Sequence, residues 1–202
     1  QLGYSYSITS GEAERLQYDT IGSVSSLRSS ASSDFTKQFT YHKPSVQFSR
    51  VTNRLKFSIG INTQFSKLEG TNRFLGTSTS QKYFNVLPYF RLIYQLDSAK
   101  TQRIIVRGFS SVTDPRIEQL QPGEIIYSDT RIYQGNPNLQ PQRNYKLITN
   151  YLKFNNKKHW NFTAFMSHEI NDQKIFNSFD VDDDLVLTIT PRNLGFQYKN
   201  YG

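Results

Sequence analysis

The sequence predicts an all-β protein in which about eight antiparallel strands follow one another in up-and-down order. Three observations support this. Apolar and polar residues alternate with a period of two over most of the chain, as in strands with one apolar and one wetter face. Aromatic residues reach 14% although hydrophobic residues make up only 36%, which is unlike an ordinary soluble core. Short and long connections alternate between the predicted strands.

Eight segments show the alternation. The clearest has Leu55, Phe57 and Ile59 on one parity, with Lys56 and Ser58 on the other. Two segments change parity within themselves, one near Pro44, where we expect a β-bulge, and one near Pro191. The segments cover residues 4–8, 32–50, 54–65, 83–96, 102–109, 143–152, 159–170 and 185–202, the last as one interrupted strand. No helix is predicted.

The lengths of the connections indicate which all-β architecture the chain adopts. Short turns are expected at 51–53, 97–101 and 155–158, and long segments at 10–33, 67–82, 111–142 and 171–184. Bacterial outer-membrane barrels have short turns at one end and long loops at the other, whereas a β-sandwich has no reason to follow that rule. Only helices and closed barrels can span lipid, because an open sheet edge there leaves backbone groups unsatisfied. The pattern therefore predicts a transmembrane β-barrel with its apolar parity towards lipid.

Eight strands can close into a small barrel or form one arc of a larger one. Both ends of the sequence have a strand pattern, so we expect residues 1–202 to be a partial outer-membrane β-barrel domain. In this interpretation the sheet is an arc of a larger barrel.

The best-defined turn in the sequence precedes the strand that begins near Arg143. Pro137 suits position i+1 of a type I or II turn, and Asn138 at i+2 tolerates positive φ. Gly135 makes the chain before the turn more flexible. Pro141 lies at the start of a strand, a position that does not need a backbone N–H donor. We predict that this turn brings a long loop into a strand of fixed register.

The segment DPRIEQLQP (114–122), followed by YQGNPNLQPQRNYKL (133–147), resembles the outer-membrane β-barrel family related to TonB-dependent receptors. Arg116 and Gln142 depart from the residues usual there. We expect the residues on which the resemblance rests to have a structural role: Pro115, Leu120, Gln121, Pro122, Gly135, Asn136, Pro137, Asn138, Leu139 and Pro141.

The resemblance implies a receptor or transporter barrel segment in the bacterial outer membrane, in contact with outer-membrane lipid. It would take up an unknown small solute or nutrient, energised by the TonB system through a plug domain that we expect to be absent from this chain. Substrate contacts are expected in the loop 116–133. The alternative is a secreted soluble β-sandwich that binds carbohydrate or protein through aromatic-rich loops.

Charge adds one expectation about the solute. Net charge is +8, but no basic cluster interleaves with aromatics on one element, so we expect no nucleic-acid partner. Four basic residues on the polar parity are candidate lumen-facing positions, and their sign would favour anionic solutes: Lys56, Arg91, Arg107 and Lys146.

No enzymatic site is predicted. Ser167 and His168 are adjacent in a strand and point to opposite faces, so they cannot form a nucleophile and base pair. Cysteine is absent, which removes thiol chemistry and zinc–thiolate sites. The acidic run 180–185 lacks the glycine and the terminal glutamate of an EF-hand loop. We expect no catalytic residue, cofactor or metal.

Overall fold

The computed structural model describes residues 1–16, 18–21, 24–27, 33–73, 76–121, 124–195 and 198–201. One short helix, α1 (Ile117–Leu120), follows the seventh strand. The strands in chain order are β1 (Leu2–Arg15), β2 (Tyr18–Ile21), β3 (Val24–Leu27), β4 (Ser33–Val51), β5 (Leu55–Asn72), β6 (Thr77–Gln95), β7 (Gln102–Thr113), β8 (Glu124–Ser128), β9 (Arg131–Gln134), β10 (Gln142–Asn155), β11 (Trp160–Asp172), β12 (Ile175–Val181), β13 (Leu187–Asn193) and β14 (Tyr198–Tyr201).

Eight of these strands form one antiparallel sheet in the order β1-β4-β5-β6-β7-β10-β11-β14. Each pairs with the next main-sheet strand along the chain, which confirms the predicted up-and-down order. Among the described residues, β1 and β14 are the two edges of this sheet, so it is an open arc. A β-sandwich would instead divide these strands between two packed sheets.

The predicted short turns all lie at one end of the sheet. They occupy residues 52–54, 96–101 and 156–159. Asp97 fixes the second turn: one carboxylate oxygen accepts from the Thr101 hydroxyl (2.6 Å) and the other from the Gln102 amide (2.8 Å). The hydrogen bond from the Thr101 hydroxyl is the main reason that the pKa of Asp97 lies below its usual value. The carboxylate therefore closes this turn in its charged form.

One predicted long connection is wrong. The ladder between β5 and β6 runs up to Asn72 and Thr77, so residues 73–76 alone join the two strands, where we expected a loop over 67–82. Apart from Leu68, the paired residues in this part of the hairpin are polar or glycine, which is the composition of a loop. The backbone hydrogen bonds nevertheless continue, and on the inner face Leu68, Asn72 and Thr79 are buried.

The last predicted strand is also wrong in part. Only β14 pairs with β11, whereas β13 belongs to a second, four-stranded sheet in the order β12-β13-β9-β8, here named the loop sheet. The physical reason is that Ile189 in β13 is almost completely buried, and its neighbour across the ladder is Tyr133 of β9, in parallel pairing. The apolar residues of this segment serve a second sheet and not the barrel wall.

The expected bulge near Pro44 is absent. The register between β4 and β5 is the same on both sides of Pro44, from the pair Phe39–Leu68 to the pair Phe48–Ile59. The apolar parity changes because Phe39 points to the inner face of the sheet and packs on a cluster there, whereas Phe48 points outwards and is 59% exposed. The parity of the apolar residues in β4 therefore changes at the point where the inner face of the sheet becomes covered by this cluster.

The outer face of the sheet is apolar and exposed. In β5, Ile59 and Ile61 are 55% and 49% exposed, while Gln64 and Ser66 on the opposite parity are buried. The same outward rows hold exposed apolar side chains on the other strands, including Leu2, Tyr4, Tyr6, Ile8, Val46, Phe48, Phe84, Phe90, Leu147, Phe162 and Met166. This is the arrangement of a barrel wall in lipid, as the alternation predicts.

The height of the apolar band fits a membrane. Outward apolar residues in β5 run from Leu55 to Phe65, which is about 34 Å along a strand at roughly 3.4 Å per residue. At a strand tilt of about 40° this corresponds to roughly 26 Å, close to the apolar height of about 25 Å in outer-membrane barrels. Above Phe65 the outward cross-strand pairs become polar, beginning with Lys67 and Lys82. The sheet therefore extends beyond the bilayer on the side of the long connections.

Phe165 and Met166 allow a direct test of the two faces. They are 72% and 61% exposed, but Phe165 faces the inside of the arc and Met166 faces outwards with Leu147 and Phe162. In the full-length protein in bilayers, we expect bimane attached at Met166→Cys to be quenched by brominated lipid and bimane at Phe165→Cys to be unaffected. Equal quenching at both positions would contradict the assignment of the faces.

Candidate functional site

Two loop segments fold back into the concave side of the sheet. Residues 114–121 follow β7 and residues 135–141 precede β10. Their apolar side chains Ile117, Leu120 and Leu139 pack against Leu68 of the wall, and Leu120 and Leu139 are at most 1% exposed. We name these four residues the inner cluster. Phe39, Tyr83 and Ile175 surround it.

Local interactions explain why α1 forms. The side-chain oxygen of Gln119 accepts from the Arg116 amide (2.9 Å), and the Gln119 amide donates to the Arg116 carbonyl (3.0 Å). Arg116 itself is extended, with φ −74° and ψ 150°, and the buried Pro115 precedes it. Ile117 and Leu120 lie three residues apart and therefore share one face. That face supplies half of the inner cluster.

Gly135 is required by close packing. A Cβ at this position would overlap the carbonyl oxygen of Gln121 and lie 3.2 Å from that of Gln119. The next residue, Asn136, donates its amide to the Gln119 carbonyl at 2.6 Å. The sequence suggests only that Gly135 loosens the approach to the turn. The structure instead places it where the two loop segments touch through their backbones.

The turn after Gly135 is held by Asn136. Its side-chain oxygen accepts from the Asn138 amide (3.0 Å), its carbonyl accepts from the Leu139 amide (3.4 Å), and its side-chain amide donates to the Pro191 carbonyl of β13 (3.1 Å). Asn138 is not among the described residues with positive φ, so this is a turn of the type I kind. The tolerance for positive φ that Asn138 offers is not used here.

The wall strand β6 anchors this turn. The Gln81 side chain donates to the Pro137 carbonyl (3.1 Å), and the Tyr83 hydroxyl donates to the Leu139 carbonyl (3.0 Å). The Leu139 side chain then fills the inner cluster, and Pro141 is buried just before β10 begins.

The first segment has a similar link to the wall. The Gln121 side chain donates to the Thr77 hydroxyl at 2.9 Å. The structure thus places the motif residues from Pro115 to Gln121 and from Gly135 to Pro141 together on the inner wall. Pro122 lies outside the described residues.

Sequence reasoning missed Asn193. Its side-chain oxygen accepts from the Gln140 amide (2.8 Å), and its side-chain amide donates to the carbonyls of Gln140 (2.9 Å) and Gln173 (2.8 Å). It therefore joins the end of β13 to the segment before β10 and to the start of β12. A single asparagine in a polar stretch gives no signal of this role.

A recess of about 1070 Å³ lies between the barrel wall and the loop sheet. The wall contributes Phe39, Tyr41 and Lys43 from β4, and the loop sheet contributes Tyr127 and Tyr133. Segment 114–119 forms its base, and Ile125 and Asn177 complete the loop side. The pair Phe39–Leu68 lies above Phe65 in the wall, so the recess opens on the side of the long connections.

Both signs of charge occur in the recess. Lys37 pairs with Glu118 at 3.4 Å, and Gln64 donates to the Asp114 carboxylate at 3.3 Å. Burial raises the pKa of Asp114, and burial, reinforced by nearby Tyr127, raises the pKa of Tyr133 to about 12. Tyr133 therefore remains neutral and able to donate a hydrogen bond at any physiological pH.

The four candidate lumen-facing residues lie in three different surroundings. Arg91 and Arg107 are directly opposite each other on β6 and β7, and both are exposed on the inner parity. Lys146 is on the same parity and pairs with Glu169 at 3.3 Å. Lys56, near the short turns, is exposed. None of the four lines the recess.

Neither a metal site nor a helical span is found in the described part of the chain. No three His, Cys, Asp or Glu side chains there are grouped so that they could hold a metal ion. Among the same residues, no helix combines the length and the apolar composition of a membrane span.

The close contact at Gly135 yields a prediction about stability. Gly135→Ala should lower the free energy of unfolding of the full-length protein by about 1 to 3 kcal/mol, because a methyl group is forced against the Gln121 carbonyl. The measurement is the unfolding midpoint in detergent, followed by heat-modifiable gel mobility. Gly195→Ala is the control: a methyl group there would meet no described atom within 4 Å, so a change below about 0.5 kcal/mol is expected. Equal effects of both substitutions would contradict the packing role.

Comparison with known proteins gives three results. No curated protein matches the sequence. A solved structure with a similar fold is a double mutant of the Serratia marcescens hemophore receptor HasR in complex with its hemophore HasA and heme, with TM-score 0.57 and 13% identity. The match covers 100% of this chain and 37% of that one, so the chain spans well under half of the receptor's length. The sequence model of the outer membrane protein beta-barrel family matches residues 1–202, and the chain therefore belongs to this family of the bacterial outer membrane.

Proposed function

We propose that the chain is one arc of an outer-membrane receptor barrel that captures a small solute at the cell surface and admits it to the lumen. The observation that carries this proposal is the inward fold of the long connections. Segments 114–121 and 135–141 pack on the inner wall, and the loop sheet faces that wall across the recess. A purely structural barrel has no need of such a recess, whereas a receptor needs concave surface with polar groups.

The likeness to the hemophore receptor supports the barrel fold that a receptor role requires. That protein is described with a hemophore and heme, and its low identity limits the comparison to the fold. In our proposal the present chain shares the general task of solute capture. Its own residues, and not the bound molecules of the other receptor, define the solute.

The energy source in this proposal is the TonB system, acting through a plug domain outside residues 1–202. The resemblance of segments 114–122 and 133–147 to the TonB-dependent group supports this step. The outer face contributes the lipid contact, since its apolar band has the height of a bilayer core.

The test removes one wall of the recess. In the full-length protein, residues 125–133 are replaced by Gly-Ser-Gly; Glu124 and Gln134 are cross-strand partners, so a short bridge spans them. We expect normal heat-modifiable mobility, because the inner cluster is retained, together with loss of solute uptake. Uptake is read as depletion of solutes from the growth medium by mass spectrometry. A strain that lacks TonB should leave the same solute behind.

A matched control shortens a different hairpin at the same end of the sheet. Replacing residues 19–26 by Gly-Ser removes most of β2 and β3, which do not line the recess. This variant should deplete the medium as the wild type does. The proposal is wrong if the folded 125–133 replacement takes up every solute normally, or if both replacements impair uptake equally.

A further inference from the structure

We propose that the recess binds an amphiphilic organic anion, with a planar or apolar body between the two walls and its acidic group at Lys43 and Arg116. The inference rests on the proposed receptor function and specifies its class of substrate. Three features of the recess support it: the chemistry of the walls, the unpaired charges and the volume.

Both walls of the recess are aromatic. On the barrel side the rings of Phe39 and Tyr41 are 5.9 Å apart, and on the loop side those of Tyr127 and Tyr133 are 6.4 Å apart and edge-on. Phe39 and Tyr41 are paired with Leu68 and Ser66 on the inner face of the sheet, so contact with lipid does not account for these aromatic side chains. Aromatic faces on two opposed walls suit a flat or apolar body, which gains contact area on both sides.

The apolar character continues across the loop sheet. Cross-strand pairing aligns Ile125 with Tyr133, Tyr133 with Ile189, and Ile189 with Phe179. Directly paired residues project from the same face of a sheet. Phe179, at the far strand, is 65% exposed. Ile189, between Tyr133 and Phe179, is buried, so Phe179 is the exposed apolar side chain that this row adds beyond the recess.

Among the described residues, three cations and three carboxylates line the recess, but two of the cations have no carboxylate partner. Lys37 is paired with Glu118, and Glu69 is paired with Lys67 at 2.7 Å. The third carboxylate, Asp114, accepts from the Gln64 side chain at 3.3 Å, and burial raises its pKa, which disfavours its charged form. Within the described residues, no carboxylate lies within ion-pair distance of the ammonium of Lys43 or the guanidinium of Arg116. Two cations beside aromatic walls are suited to a carboxylate, sulfonate or phosphate group.

The lumen below the recess also carries unpaired positive charge. Arg91 and Arg107 face each other on the inner wall, and no described carboxylate pairs with either. Like charges directly opposite each other destabilise a sheet, so the pair favours an anion that passes between them. The volume of the recess, about 1070 Å³, lies just above the usual range of small-molecule sites.

The test uses three probes that share one body and differ in charge. Pyrene-1-carboxylate, 1-pyrenemethanol and 1-pyrenemethylamine are titrated with the full-length protein in nonionic detergent at low salt, and fluorescence anisotropy is compared with that in empty micelles. We expect the carboxylate to bind most tightly. Lys43→Gln with Arg116→Gln should weaken carboxylate binding about tenfold or more, since charge-assisted hydrogen bonds are lost, and leave the alcohol unchanged.

Lys157→Gln with Lys158→Gln is the matched control, because it removes the same charge at the opposite end of the sheet, and it should change no affinity. Lys43→Glu with Arg116→Glu should reverse the preference towards the amine, a result that a merely structural role would not give. Folding of each variant is checked by heat-modifiable mobility, and the wild-type comparison of the three probes requires no variant.

The inference is overturned if the wild type binds the three probes equally or none of them, or if the Gln variant binds the carboxylate as the wild type does. These outcomes differ from failure of the proposed function. If solute depletion requires residues 125–133 but probe binding ignores charge, only the substrate class is wrong. If depletion does not require these residues, the receptor function itself fails.

Discussion

The packing of Leu139 and Leu120 on Leu68 is the contact on which the inner architecture depends. The main sheet is stabilised by its own ladder, but in the described part of the chain no strand ladder ties segments 114–121 and 135–141 or the loop sheet to the wall. Burial of apolar side chains in the inner cluster supplies that tie, and hydrogen bonds from Gln81 and Tyr83 fix its register. Because the loop sheet is attached through Asn136 and Asn193, its position follows from the same cluster.

The barrel wall could be predicted from the sequence, since period-two alternation and short turns are local signals. The loop sheet could not. Its central pairing, Ile189 of β13 beside Tyr133 of β9, joins residues far apart in the chain in parallel orientation, and each strand is short. The outer part of the β5–β6 hairpin was missed for a different reason, because its paired residues are mostly polar and Leu68 alone gives no alternation.

The turn motif was located correctly, but part of its physical basis was misjudged. Pro137 occupies the turn position expected for it, but the side-chain hydrogen bonds of Asn136 were not foreseen, Asn138 does not use positive φ and Gly135 serves close packing. Close approach between two backbones depends on where a second segment folds, which a single motif does not reveal. The placement of Arg91 opposite Arg107 likewise required the register of β6 and β7.

If the inner cluster holds the loop segments in place, the turn and the wall are energetically coupled through it. A double-mutant cycle with Leu68→Ala and Leu139→Ala, measured as the free energy of unfolding of the full-length protein in detergent, determines this coupling. We expect a coupling energy of about 1 kcal/mol or more, in the range found for side chains in contact. Additive effects, with a coupling energy near zero, would contradict it.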